Sequence, residues 1–164
     1  MSETTRQNDI DTLNRLIELT LDSAHGYEDA SKDAKNPEYR TLFGKRAMER
    51  KQLTAELQTE MRRLLGGQPA QSGTTMGKAG RLFLAAKQMI MGSDKSLIDA
   101  VEAGEDKIRD AYRDALGDGE HAALDRSAPA LSTPVRELIE QSYQTIKAGH
   151  DQMSALKHQT EQMS

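Results

Sequence analysis

Apolar residues recur along this chain at alternating spacings of three and four. That period marks one face of an amphipathic helix. Ile10, Leu13, Ile17, Thr20, Ala24, Tyr27, Ser31 and Ala34 form the first such stripe. It predicts a helix over 8–34, with Asn8 as its cap. Asn36-Pro37 then interrupts the pattern, and suits a cap followed by a first helical position. Phe43, Ala47, Leu53, Leu57, Met61 and Leu64 define a second helix over 37–65, closed by Gly66-Gly67. So short a turn predicts an antiparallel hairpin.

From Gly66 to Gly80 the composition shifts to Gly, Ser, Thr, Gln and Pro, and no helix is expected. A third helical stretch covers 81–116, interrupted near 92. Its first piece carries Leu82, Phe83, Leu84, Met89, Ile90 and Met91. Its second runs through Leu97, Val101, Ile108, Ala111 and Tyr112 to Gly117. Whether these are one kinked helix or two stays open, and a single helical turn is expected between 120 and 130. The last helix, over 133–160, starts at Thr133-Pro134 and carries Val135, Ile139, Ser142, Ile146, Gly149, Met153 and Leu156. Period-two runs of β-branched and aromatic residues are absent, so the class is all-α.

Connectivity follows from the 66–80 linker. About 13 extended residues reach roughly 43 Å, and a helix of about 28 residues is roughly 42 Å long. The linker can therefore travel the length of a bundle. Two antiparallel hairpins joined by one long crossover are the connectivity of ferritin-like four-helix bundles. The whole chain, 1–164, reads as a single domain, long enough to bury a core.

Composition narrows the function. Hydrophobic residues make up 36% and charged residues 29%, as amphipathic helices need. With four Tyr, two Phe and no Trp, the eight Met help to fill the interior. There is no Cys, so disulfides, thiolate catalysis and Cys-ligated zinc are excluded. The net charge of -4, with both signs interspersed, leaves no footprint for nucleic acid. No apolar run approaches the roughly 20 residues of a membrane span. A polar start from Met1 to Asp9 argues against a secretory signal, so a cytoplasmic location is expected. A homo-oligomer is compatible with the sequence, and nothing in it names a protein partner. Nucleotide-loop and nucleophile-elbow motifs are absent.

Four segments carry a resemblance: Leu13-Asn14-Arg15-Leu16-Ile17, Gly66-Gly67-Gln68-Pro69, Glu102-Ala103-Gly104-Glu105-Asp106 and Ala148-Gly149-His150-Asp151. Together they resemble a bacterial ferritin-like family of unknown function, made of small four-helix bundles often assumed to be stress-related. The resemblance implies a fold and no reaction. Dinuclear bundles take a Glu-x-x-His from each of two helices and a Glu from each of the others. No Glu-x-x-His occurs here. The nearest remnants are Glu49-Arg50-Lys51-Gln52 and Lys147-Ala148-Gly149-His150. Where the ferritin pattern sets a Glu about seven residues before a Tyr, this chain has Thr20.

Two readings of the inward polar residues follow. Glu105 lies between Val101, Ile108 and Tyr112 at helical spacing, and a buried carboxylate needs a partner, a metal or a proton. In the metal reading, Glu28, Glu49, Glu105 and His150, with Glu102 nearby, ligate iron or manganese. In the structural reading, Arg50 on the second helix's apolar stripe neutralises Glu105, Glu28 or Glu49, and Tyr27 joins the same polar layer. Lys147 adds a cation where the ferritin pattern wants Glu, unless its stem carries the ammonium out to water. The structural reading is preferred, and with it a non-enzymatic bundle without a cofactor.

Overall fold

The computed structural model describes residues 2–66, 93–117 and 129–163. Among them are four helices and no strand: α1 (Glu3–Asp33), α2 (Pro37–Leu64), α3 (Asp94–Leu116) and α4 (Thr133–Gln162). The expected linker over 66–80, the apolar piece over 81–91, and the turn between 120 and 130 lie outside the described residues, except for Gly66 and for residues 129 and 130.

Capping chemistry moves two helix starts. α1 begins at Glu3 rather than at Asn8, because Ser2 Oγ accepts from Thr5 N–H at 3.0 Å. An acidic first-turn residue, Glu3, suits the positive end of the helix dipole. Asn8 instead donates to Ala130 O at 3.1 Å. At α4 the cap is Ser132, one residue before the expected Thr133, and its side chain does not bond its own helix. Asn36 caps α2 through Glu38 N–H, and Ser93 caps α3 through Ser96 N–H. α3 runs unbroken from Asp94 and stops at Gly117, whose φ of 75° lies in the left-handed region that favours glycine.

Cross-helix contacts set the directions. Arg6 Nη2 donates to Leu64 O and Ser31 Oγ to Arg40 O, so α1 and α2 are antiparallel. Thr20 meets Tyr112 and Tyr27 meets Glu105, so α1 and α3 are antiparallel too. α2 and α3 therefore run parallel. Arg136 reaches Leu116 O while Lys157 reaches Glu102, which makes α3 and α4 antiparallel. The chain thus leaves α2 at the end where α1 begins, and enters α3 at the end where α1 finishes.

The core falls into two clusters. One gathers Leu13, Leu16 and Ile17 with Leu53, Leu57, Met61, Ile108, Tyr112, Ile139 and Ile146. The other gathers Tyr27 and Ala30 with Phe43, Ala47, Ile98, Val101 and Met153. Each large aliphatic side chain buried here contributes about 1.5–3 kcal/mol. On every helix the buried residues between the two clusters are polar or small: Thr20 and Ser23, Arg50, Glu105, Gly149 and His150, with Arg46 one turn before Arg50 at the edge of the second cluster. A polar layer therefore crosses the bundle between two apolar halves.

Two carboxylates join the ends. Asp9 accepts from Ser132 N–H at 2.9 Å and from Ser132 Oγ at 2.6 Å, which ties the start of α4 to α1. Asp94 accepts from the N–H groups of Lys35 and Asn36 at 2.8 and 2.9 Å, which ties the start of α3 to the α1–α2 turn.

Candidate functional site

The centre of the polar layer is Arg50, which is fully buried on the apolar stripe of α2. Its Nη2 donates to Glu105 Oε2 at 2.9 Å, and Glu105 is itself only 1% exposed. Tyr27 O–H donates to the other oxygen, Oε1, at 2.8 Å. Arg50 Nη1 reaches Ser23 Oγ at 3.2 Å, and the guanidinium lies 5.6 Å from the centre of the Tyr27 ring. Helical spacing brings these groups together: Ser23 and Tyr27 are one turn apart on α1, and Glu105 follows Val101 by one turn on α3. A charge-assisted pair of this kind satisfies a carboxylate that could not otherwise be buried.

Arg46, one turn before Arg50, is buried as well. Its Nη1 donates to Glu49 Oε1 at 2.8 Å and its Nη2 to Gln152. Both guanidiniums lie against Gly149 of α4. A Cβ there would stand 2.5 Å from Arg50 Nη2 and 2.9 Å from Arg46 Nη1. The absent side chain at 149 is what lets two arginines occupy the bundle interior. The Nε atoms of Arg46 and Arg50 are buried without hydrogen-bond partners, although Arg50 Nε is 3.8 Å from Glu49 Oε1.

Of the residues singled out by sequence, the structure joins Arg50, Glu105 and Tyr27. It does not bring Glu28, Glu49, Glu105 and His150 together. Glu28 pairs with Lys51 at the surface. Glu49 is more than a third exposed and pairs with Arg46. No three of the four meet at metal-ligand spacing among the described residues. Both oxygens of Glu105 are engaged by protein groups. The Arg50 guanidinium thus occupies the centre of the layer, against Glu105 and Ser23. Lys147 proves irrelevant to this point: it is exposed and pairs outward with Asp151 at 3.1 Å.

His150 belongs to the α3–α4 seam. Its Nε2 lies 2.7 Å from Asp106 Oδ1 and 2.9 Å from Arg109 Nη1, and its Nδ1 lies 3.2 Å from Asp151 Oδ1. Glu102, one turn before Asp106, meets Lys157 at 3.5 Å. Sequence reading passed over Asp106, because i, i+4 acids on a helix ordinarily mark a solvated face. The signal that could have found it is its place one turn after Glu102 within the same motif.

Burial governs the electrostatics. It pushes the Tyr27 phenol well above its ordinary value, reinforced by the neighbouring Glu105 carboxylate and opposed by Arg50. It raises Tyr112 to about 12, although the hydrogen bond with Thr20 acts the other way. Both phenols therefore stay protonated and serve as hydrogen-bonding groups. Asp22, also missed from sequence, is raised to about 6 by burial, with Lys107 pulling it down. Lys51 holds the Glu28 carboxyl below its usual range, chiefly through their hydrogen bond.

No helix among the described residues is long and apolar enough to cross a membrane. No curated protein and no solved structure matches the chain. One family does match, over residues 8–118, a stretch that holds most of α1, all of α2 and α3, and the Arg50, Glu105 and Tyr27 positions. With most of its length inside that match, the chain belongs to the family described as a domain of unknown function, DUF2383.

Proposed function

We propose that this protein is a ferritin-like helical bundle with no enzymatic reaction, acting as a stress-related or interaction module built as one domain. Parallel α2 and α3 support the ferritin-like connectivity, since one long connection must then join two hairpins. The observation that carries the non-enzymatic reading is Arg50. Its guanidinium lies 2.9 Å from Glu105 and takes the space that a dinuclear centre would use. A protein-supplied cation there neutralises the carboxylate permanently and cannot exchange ligands. The layer holds the helices in register, a role attested for buried polar groups in some other bundles.

The test is metal uptake by chelator-stripped protein exposed to Fe(II) and to Mn(II). A dinuclear centre takes up two ions per chain and loses both in Glu105→Gln. The expected result is no paired uptake, and no iron or manganese that depends on Glu105. Two ions per chain, abolished by Glu105→Gln in a variant whose helical spectrum is intact, would overturn the reading.

A further inference from the structure

We propose that Glu102, Asp106 and His150 form a site for one divalent transition-metal ion of the zinc type on the α3–α4 seam. The site is separate from the central layer. One ligand atom from each residue can be chosen so that all lie within 4.8 Å of one another. Glu102 and Asp106 are four apart on α3 and so share a face, and His150 comes from α4. Imidazole nitrogen and carboxylate oxygen are zinc ligands at about 2.0–2.2 Å, which places neighbouring ligand atoms of a tetrahedral ion about 3.3 Å apart. Modest side-chain movement reaches that spacing. His150 lies buried at the base, while the Asp106 side chain is 45% exposed and opens a path from solvent.

The surroundings of the imidazole point to a cation. Asp151 Oδ1 faces Nδ1 at 3.2 Å, the carboxylate contact that typically orients a metal-ligating histidine through its other nitrogen. With a proton on Nδ1, Nε2 holds a lone pair, and Arg109 Nη1 donates to it at 2.9 Å. That same lone pair then stands 2.7 Å from Asp106 Oδ1, acceptor against acceptor. Positive charge must be shared across such a contact: here the Arg109 guanidinium supplies it, 3.9 Å from Asp106 Oδ1, and a second ring proton or a metal ion takes over that part when Arg109 swings away. Glu102 makes the metal the better fit, since a proton on Nε2 needs only Asp106.

Two resident cations must yield, and each has another carboxylate to move to. Arg109 already contacts Asp110 Oδ1 at 3.1 Å. Lys157 feels Asp99 as well as Glu102, and Asp99 Oδ1 is buried without a hydrogen-bond partner. Both side chains are long enough to swing toward water.

The experiment titrates Zn(II) into the chelator-stripped full-length protein and reads stoichiometry, melting temperature and the imidazole nitrogen signals of His150. The expected result is one zinc per chain, a raised melting temperature, and a shifted Nε2 with Nδ1 still protonated. Asp106→Asn changes only a partly exposed group and should weaken binding at least tenfold. Asp151→Asn should weaken it about 10–100-fold. Absence of saturable binding overturns the proposal, as does binding unchanged in both Asp106→Asn and His150→Gln. A His150 ring that stays doubly protonated at saturating zinc also overturns it. Zinc retained in Asp106→Asn but lost in Glu105→Gln would place the metal in the central layer, and would overturn the proposed function together with this inference. Absence of binding leaves the proposed function standing.

Discussion

Arg50→Ala should be among the most damaging single substitutions in the chain. The side chain is fully buried, and its loss removes the 2.9 Å contact to Glu105, the 3.2 Å contact to Ser23 and the packing over Tyr27. Glu105 would keep Tyr27 as a donor but lose its only opposing charge within contact distance among the described residues. Removing one partner of a buried pair costs about 3–5 kcal/mol, mostly because the other charge is left uncompensated. Domains of this size are stable by about 5–15 kcal/mol, so the effect is large. Replacing both residues by apolar ones, Arg50→Met with Glu105→Leu, removes the stranded charge and should cost much less than the two single changes summed. Urea denaturation followed by helical circular dichroism measures each corner of this double-mutant cycle. A coupling of about 2–3 kcal/mol is expected. If the single effects add to within about 0.5 kcal/mol, the two groups do not interact energetically and the account of the polar layer is wrong.

Gly149→Ala would ordinarily strengthen a helix by about 1 kcal/mol. Here its Cβ meets two pinned guanidiniums, so a net loss of about 1–3 kcal/mol is expected, becoming smaller in the Arg50→Ala background, where only Arg46 is left against the new methyl group; the difference between the two backgrounds is the readout. Asp22 has its pKa raised from 3.8 to about 6, so the folded chain holds that proton more tightly than the unfolded one. Its contribution is therefore complete below pH 3.8 and is lost as pH rises to about 6. Asp22→Asn should flatten that part of the stability profile and gain about 1–2 kcal/mol at neutral pH, after a discount for solvent screening; an unchanged profile in pH-dependent denaturation would contradict it. Asp9→Ala removes the two bonds to Ser132 and should cost about 1–2 kcal/mol, with faster amide exchange confined to the first turn of α4; exchange that stays slow there would show that the tie is dispensable.

Much of the fold was legible because helical period and burial coincide. Leu13, Ile17, Phe43, Leu57, Ile108, Ile139 and Met153 all lie on stripes read from spacing, and all are buried. Arg50 and Glu105 were legible for the same reason: a charge on an apolar stripe must find its opposite. What escaped depends on neighbours distant in sequence. Asp9 sits in a polar stretch that looks solvated, and is buried only because Ser132 docks there. The true start of α1 escaped because Glu3 to Gln7 has no apolar face, and only the Ser2 cap defines it. Asp106 became notable through a histidine on another helix. The candidate metal ligands lie apart in a way that spacing alone does not reveal, since Glu28 turns to the exposed Lys51 and Glu49 to the buried Arg46.

The carboxylates of Asp9 and Asp94 resist sliding. Parallel and antiparallel helices packed through aliphatic side chains can shear past one another with little loss of buried area, and the natural step is one turn, about 5.4 Å. Each tie is a short carboxylate on one hairpin accepting two donors at the start of a helix in the other, two main-chain N–H groups for Asp94 and one N–H with one hydroxyl for Asp9, and the two ties sit at opposite ends of the bundle. A slip of one hairpin by a single turn breaks both at once and strands two pairs of donors. The two hairpins are thus held to one axial setting, and any signal this protein transmits through helix motion must come from rotation or splaying rather than from translation along the bundle.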